Sequence, residues 1–265
     1  MKRACVLVFS GADPSGGAGM QADIAAIAAQ GAHALSVITV LTAQDNDRVF
    51  AVQPVAADLV RQQTQPLIDK FDIAAVKIGI VGNRANAEAI AELIGTLRLF
   101  NPELPVVLDP VLASGHGDAL AAEDALQAIA PLMAIATVTT PNLLEAMALC
   151  SGERRSDTQA DTLMAQGCQH VLIKGGHGND TKVTNRWYSK DGSRSWSWPR
   201  LPGTFHGSGC TLASALAAQL ALGQSMANAL ELAQAYCQEA LTQAYAIAPG
   251  QSIPNRSVSI AKGKV

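Results

Sequence analysis

A glycine-rich segment carrying a thiol, His206-Gly207-Ser208-Gly209-Cys210-Thr211, runs directly into an apolar stretch. The first N–H groups of a helix lack partners inside the helix, and its dipole places positive charge there, so phosphates bind at such ends. The same dipole favours a thiolate and lowers the pKa of a cysteine in the first turn. The segment therefore predicts an anion site with a base beside it. The alternative is ordinary turn chemistry, with Cys210 as a small buried apolar residue.

Polar residues or glycine lie at the ends of the apolar runs that predict strands. They are Asp13, Gln44, Gly79, Asp109, Asn142 and Lys174. In parallel sheets, ligands bind outside the carboxyl ends of the strands. These positions therefore predict a site at one edge of the sheet.

Three of these positions suggest a specific chemistry. Asp109 precedes Pro110, which turns the chain and leaves the carboxylate at the mouth of the site. Asn142 and Glu145 lie three residues apart on one helix face and could hold hydrated Mg²⁺, or they could form a capping box. Lys174 ends a buried strand, where an unpaired charge is costly, so a phosphate is its natural partner.

The elements that must position these residues alternate between strand and helix. The predicted strands are 5–9, 36–41, 74–80, 106–109, 136–139 and 170–174, and the predicted helices are 22–27, 55–70, 86–97, 123–132, 142–149, 210–222 and 226–246. Such alternation predicts a mainly parallel sheet with helices on both faces, a three-layer α/β fold. An Asp191-Gly192 turn between aromatic runs predicts an antiparallel edge near 183–200.

Composition limits the class of protein. The chain has 265 residues, of which 49% are hydrophobic and 15% charged, and this predicts one domain over 1–265. A net charge of -3 gives no basic surface for nucleic acid or anionic lipid. No apolar stretch reaches spanning length, so we expect no membrane partner and a cytoplasmic protein. Five cysteines without a Cys-x-x-Cys pair argue against disulfides and structural zinc.

The loop Asp13–Gly19 is rich in glycine but matches neither the dinucleotide fingerprint nor the P-loop. A Rossmann dehydrogenase and a Walker-type NTPase are therefore disfavoured. Asp23, on the following helix, either binds ligand or lies on a solvated helix face.

Eight motifs between Gly11 and about Leu222 resemble the hydroxymethylpyrimidine and phosphohydroxymethylpyrimidine kinases of thiamine synthesis, which belong to the ribokinase-like superfamily. They are Gly11–Gly19, Gln21–Asp23, Thr42–Gln44, Lys77–Gly79, Asp109–Val111, Thr140–Asn142 with Glu145, Lys174–His177 and His206–Thr211. Eight motifs in the family's order are far more specific than any one of them.

This resemblance implies a ribokinase-like fold, ATP and Mg²⁺, and phosphorylation of the hydroxymethyl group of 4-amino-5-hydroxymethyl-2-methylpyrimidine, with a second phosphorylation in many members. Family members are often homodimers. By the same resemblance Cys210 deprotonates or orients the acceptor hydroxyl, while the amides of Gly207, Ser208 and Gly209 hold the phosphoryl group. The implied ligand-binding residues are Gln44, Asp23, Ala18, Gly11 and Val107 for the pyrimidine, Lys174, Thr204 and Asn142 for the nucleotide, and Asp109 and Glu145 for Mg²⁺.

The sequence departs from the family pattern in two segments. Residues 112–117 lack the family's usual lysine and offer only His116 as a cation, and 45–48 read Asp-Asn-Asp-Arg. Three other interpretations stay open: a pyridoxal-type kinase, a non-catalytic pyrimidine-binding protein and a cysteine redox enzyme. The last has no nearby resolving cysteine.

Overall fold

The computed structural model describes residues 2–113, 125–178 and 180–258, which contain a nine-stranded sheet. The predictions for the segment around His116 lie outside the described residues. The strands are β1 Cys5–Ala12, β2 His33–Gln44, β3 Val49–Pro54, β4 Ile73–Ile78, β5 Val106–Leu108, β6 Val138–Thr139, β7 His170–Ile173, β8 Lys182–Ser189 and β9 Gly192–Pro199.

Helices connect most of these strands. They are α1 Gly19–Ala29, α2 Ala57–Ile68, α3 Arg84–Phe100, α4 Ala125–Met133, α5 Leu143–Leu149, α6 Ser156–Ala165, α7 Ser208–Ala221 and α8 Met226–Thr242. Within the described residues, no helix is both long and apolar enough to cross a membrane.

The strand order is β3-β2-β1-β4-β5-β6-β7-β8-β9. The six strands from β2 to β7 run parallel, whereas β8 and β9 pair antiparallel at one edge. The predicted antiparallel edge near 183–200 is thus confirmed. The opposite edge is also antiparallel, because β3 pairs with β2, and this strand was not predicted.

Both faces of the sheet are buried, which explains the continuous apolar runs. In β1, Leu7 and Phe9 face the layer of helices α2 to α6, and Val6 and Val8 face α1, α7 and α8. This alternation follows the two-residue period of a strand. The expected three-layer arrangement is confirmed.

Two of the differences between the predicted and the observed helices have local reasons. The helix expected from Val55 begins at Ala57, because the N–H of Val55 still donates to Thr39 O at 2.9 Å and prolongs the sheet. Helix α6 was not predicted, since its sequence is mostly polar and its buried residues are only Gln159, Ala160 and Leu163.

Candidate active site

A cavity of about 480 Å³ opens where the parallel strands end. Its wall contains Gly11 from β1, Gln44 from β2, Asp109 after β5 and Lys174 after β7. Parallel strands bring their carboxyl ends to one edge, as expected. The predicted site residues on this wall are Gly11, Ala18, Gln44, Asp109, Asn142, Glu145, Lys174, Thr204, Gly207, Ser208, Gly209 and Cys210.

The segment 206–211 forms the N-terminus of α7. Gly207 is the N-cap residue and lies in the left-handed region, with φ 79°. A Cβ there would lie 2.1 Å from Gly17 O, so this position needs glycine. The amides that follow it have no partner inside the helix. The geometry is that expected of an anion site, and phosphoryl binding there stays a prediction.

Asp13 organises the loop that faces this segment. Its carboxylate accepts hydrogen bonds from the N–H of Ser15 at 2.8 Å and of Ala18 at 2.7 Å. His206 Nε2 lies 2.9 Å from the same carboxylate and joins the two loops. Burial opposes ionisation of Asp13, but these hydrogen bonds outweigh it and lower the pKa. Sequence reasoning missed this pair, because 193 residues separate its members.

Lys174 is paired in this structure by a carboxylate. Its Nζ lies 2.8 Å from Asp109 Oδ1, which also accepts a hydrogen bond from the Thr140 hydroxyl at 3.1 Å. Burial lowers the pKa of Lys174, but Asp109 and Glu145 outweigh it and raise the pKa to about 12. Lys174 is therefore charged, and Asp109 already satisfies the need for a partner that the sequence assigned to a phosphate.

Asn142 and Glu145 form a capping box at the start of α5. Asn142 Oδ1 accepts from the N–H of Leu144 and Glu145, and Glu145 accepts from the N–H of Asn142 at 2.7 Å. Burial raises the pKa of Glu145 to about 7, while Lys174 opposes the rise and Asp109 adds to it. The capping alternative is thus correct, and the metal role of Glu145 stays a prediction.

Cys210 lies in the first turn of α7, partly exposed to the cavity. Burial raises the pKa of its thiol to about 11; the Lys77 charge opposes this rise, and the carboxylates of Asp23 and Asp109 add to it. The pKa therefore lies above its usual value and not below it, as the position at a helix N-terminus suggested, and burial is the largest cause.

Asp23 does not lie on the cavity wall. Both of its carboxylate oxygens accept from Lys77 Nζ at 2.8 Å, and one accepts from the Ser214 hydroxyl at 2.7 Å. Asp23 and Lys77 are both fully buried. A direct contact between Asp23 and substrate, as the resemblance implied, is therefore excluded in this conformation, and so is the alternative of a solvated helix face.

Val107 is also fully buried and lies in the core on the α1, α7 and α8 side of the sheet. It is not on the cavity wall. The assignment of Val107 to substrate contact is therefore corrected to a core role, because the alternation of β5 turns its side chain into the helix layer.

The unusual segment 45–48 forms a turn beside Gln44. Asp45 Oδ1 accepts from the N–H of Asp47 and of Arg48, both at 2.8 Å. Gln44, Asp45 and Arg48 all line the cavity. The departure from the family pattern therefore lies directly on the wall where the predicted ring-binding amide is found.

Comparison with known proteins gives consistent matches. The family model described as Phosphomethylpyrimidine kinase matches residues 13–255. A hydroxymethylpyrimidine/phosphomethylpyrimidine kinase of Rhizobium meliloti (strain 1021) is 38% identical over 260 residues, covering 94% of each chain.

Solved structures are similar over most of the chain. An ADP complex of Bacillus subtilis pyridoxal kinase aligns with a TM-score of 0.85 and 28% identity, covering 97% of this chain and 98% of that one. A phosphomethylpyrimidine kinase from Clostridium difficile 630 aligns with a TM-score of 0.77 and 31% identity, covering 90% and 100%. These likenesses confirm the ribokinase-like fold.

Proposed function

The chain belongs to the phosphomethylpyrimidine kinase family, and from that premise we propose which reaction its cavity performs. The enzyme transfers the γ-phosphoryl group of ATP to the hydroxymethyl group of 4-amino-5-hydroxymethyl-2-methylpyrimidine, and then a second phosphoryl group to the monophosphate, in thiamine synthesis. The observation that supports this most directly is the N-terminus of α7 facing into the cavity beside Asp109, with Gln44 on the same wall.

The acceptor binds between β2 and the loop that Asp13 organises. Gln44 offers an amide that both donates and accepts, and this suits the edge of an aminopyrimidine ring. Gly11 and Ala18 form the adjoining wall. This placement brings the hydroxymethyl group toward the first turn of α7.

The phosphate chain of ATP lies between Lys174 and α7. Thr204 and Asn142 border the same part of the cavity. The hydroxymethyl oxygen forms a bond to the γ-phosphorus as the bond from that phosphorus to the β,γ-bridging oxygen breaks, and ADP leaves. The amides of Gly207, Ser208 and Gly209 stabilise the phosphoryl charge.

Cys210 orients the acceptor hydroxyl. With a pKa of about 11 the thiol is neutral near pH 7, so it offers a weak acceptor and not a base. Phosphoryl transfer has a loose transition state and needs little early proton removal. The hydroxyl proton passes to an oxygen of the transferred phosphoryl group and then to water.

Two carboxylates suit Mg²⁺ at this site. Asp109 and Glu145 lie on the cavity wall, and Mg²⁺ commonly uses one or two carboxylates together with substrate phosphates. Among the described residues no three His, Cys, Asp or Glu side chains are grouped to hold a metal ion. Asp109 and Glu145 would therefore hold the ion together with phosphate oxygens and water. When bound, the ion supplies charge neutralisation for the phosphate chain.

We further propose that the enzyme is a homodimer, as the family resemblance implies, and that it is cytoplasmic and has no nucleic-acid or membrane partners, as its charge and hydropathy indicate. The net charge of -3 offers no basic surface for nucleic acid or anionic lipid. Light scattering coupled to size exclusion checks the dimer, and the mass of a single chain would contradict it.

Product analysis tests the proposed reaction. We expect that purified protein with ATP, Mg²⁺ and equal amounts of the pyrimidine, its monophosphate and pyridoxal yields the pyrimidine monophosphate and diphosphate, measured by mass spectrometry. A preference for pyridoxal would favour the pyridoxal-type kinase that the Bacillus subtilis likeness suggests. Acceptor binding without any ATP consumption would favour a non-catalytic binding protein.

A further inference from the structure

The segment 249–258, which we call the strap, contacts several loops around the cavity. Asn46 Nδ2 donates to Pro249 O at 3.2 Å and to Gln251 O at 3.0 Å, and thereby fixes the turn beside Gln44. The N–H of His206 donates to Ser252 O at 2.9 Å. The strap therefore joins the acceptor side of the cavity to the start of α7.

Arg256 of the strap lies directly behind the glycine-rich segment. Its side chain is buried, with 7% exposure, and its Nε donates to the Thr211 hydroxyl at 2.9 Å. One terminal nitrogen donates to Gly17 O and to Gly207 O, the latter at 3.4 Å. The guanidinium thus holds the loop 13–19 and the start of α7 together through three neutral oxygens.

The carbonyl of Gly207 is held toward the protein interior. It accepts from the N–H of Thr211 at 3.0 Å and from the Thr211 hydroxyl at 2.8 Å, besides Arg256. In a trans peptide the C=O of one residue and the N–H of the next point in opposite directions. Fixing the Gly207 carbonyl inward therefore aims the Ser208 N–H outward, toward the cavity.

We infer that Arg256 is a positioning residue for phosphoryl transfer, an inference that rests on the proposed function. It fixes the peptide plane between Gly207 and Ser208 mainly through the Thr211 hydroxyl, which accepts from Arg256 Nε and donates to Gly207 O, so that the Ser208 amide faces the transferring phosphoryl group. It also fixes the distance from that plane to the acceptor loop at Gly17. A buried positive charge behind the amides adds attraction for the phosphoryl oxygens.

The test compares Arg256→Ala and Arg256→Lys with a matched control, Arg98→Ala. Arg98 is also partly buried and donates to a backbone carbonyl, Leu104 O at 3.1 Å, but it does so at the amino end of β5. Loss of one oriented amide or of about 1 Å in position typically costs roughly 100-fold in rate. We therefore expect kcat to fall about 100-fold in Arg256→Ala, with the KM for the pyrimidine changed less than about threefold.

Two further measurements separate positioning from stability. Added guanidinium is expected to restore part of kcat in Arg256→Ala but not in Arg98→Ala, at matched ionic strength. Arg256→Lys, which lacks the planar fork, is expected to lose about tenfold in kcat. If Arg256→Ala does not fold, Arg256→Lys provides the test. A folded Arg256→Lys variant with wild-type kcat would overturn the inference.

The inference fails if Arg256→Ala keeps the wild-type kcat, or if guanidinium restores nothing while the fold is intact by circular dichroism. It also fails if kcat falls only in proportion to the unfolded fraction, as in Arg98→Ala. Failure of the proposed function would look different, because the wild-type protein would then phosphorylate none of the acceptors.

Discussion

The neutral thiol of Cys210 changes how the acceptor proton is handled. A pKa of about 11 leaves roughly one thiolate in ten thousand molecules at pH 7. Lys77 opposes this rise, but it is already paired with Asp23. A role in orientation therefore fits the site better than the base that the thiol's position at a helix N-terminus suggests.

We expect kcat to change less than about threefold between pH 7 and 9, because an orienting thiol stays neutral across this range. A thiolate base with a pKa near 11 would instead give about tenfold per pH unit, since the ionised fraction rises as pH rises toward that pKa. Fixed-time product assays at saturating concentrations of both substrates measure how kcat depends on pH. A unit slope that disappears in Cys210→Ala would restore the base role.

Cys210→Ala is expected to lower kcat roughly 10- to 100-fold while the affinity for the pyrimidine stays close to wild type, because only positioning is lost. Cys210→Ser should keep most of the rate, since a hydroxyl can also orient the acceptor. The control is Cys5→Ala, because Cys5 lies at the amino end of β1 and the cavity opens at the carboxyl ends of the strands. Unchanged turnover in Cys210→Ala would remove the thiol from the mechanism.

Gln44→Ala is expected to weaken pyrimidine binding about tenfold, because the lost amide leaves ring atoms without partners. ATP affinity should change less than about twofold. Calorimetric titration of each ligand measures both values, and Gln53→Ala, an exposed glutamine on β3, is the control. Equal losses for both ligands would contradict ring recognition by Gln44.

At the level of elements, the α7 N-terminus depends on one backbone conformation. Gly207 at φ 79° and Gly223 at φ 81° lie at opposite ends of this helix. A Cβ on Gly207 meets Gly17 O, whereas a Cβ on Gly223 meets nothing within 4 Å. Substituting alanine at each glycine therefore distinguishes two effects: both variants have backbone strain, and only Gly207→Ala also disturbs the close approach of two loops.

Gly207→Ala is expected to lower kcat about 100-fold, because the clash moves the amides that face the phosphoryl group. Gly223→Ala should only lose about 1–2 kcal/mol of unfolding free energy from left-handed strain and keep its kcat. Urea unfolding and turnover of both variants check this. Equal activity of the two variants would show that the approach to Gly17 is not needed.

The elements show what the sequence could predict. The Asp191-Gly192 turn located the hairpin β8–β9, because its turn chemistry is local. Strand β3 escaped prediction because it is an edge strand without a buried residue and depends on pairing with β2. Arg256 and the Asp13–His206 pair escaped for a different reason: their partners are distant in sequence, and only packing reveals them.

The difference between local features and long-range packing also explains which residues the sequence placed wrongly. Asp23 was assigned to the substrate because its motif matched, and motif order does not show which face of α1 a side chain occupies. Its partner Lys77 lies 54 residues away on β4. By contrast, the capping role of Asn142 was visible from the three-residue spacing to Glu145, because capping is local.

For the whole molecule, we expect residues 1–265 to behave as one domain, because the sheet is continuous from β3 to β9 and has helices on both faces. The three tryptophans, Trp187, Trp196 and Trp198, all lie on the hairpin at one edge. Fluorescence therefore reports that edge, whereas far-ultraviolet circular dichroism reports all helices and strands.

The two signals are expected to give coincident urea transitions, because a single cooperative unit loses its edge and its centre together. Calorimetry should give one transition whose van't Hoff and calorimetric enthalpies agree. A fluorescence transition at lower urea than the circular dichroism transition would show that the hairpin unfolds as a separate unit.

The buried pair of Asp23 and Lys77 constrains how this protein can change over generations. Removing one member of such a pair costs about 3–5 kcal/mol, against a total of about 5–15 kcal/mol for a typical domain. A lineage that alters Asp23 first passes through an ancestor that has lost a large part of its folding stability. Descendants should therefore keep both residues or replace both, and Ser214, which donates to Asp23, should vary with them.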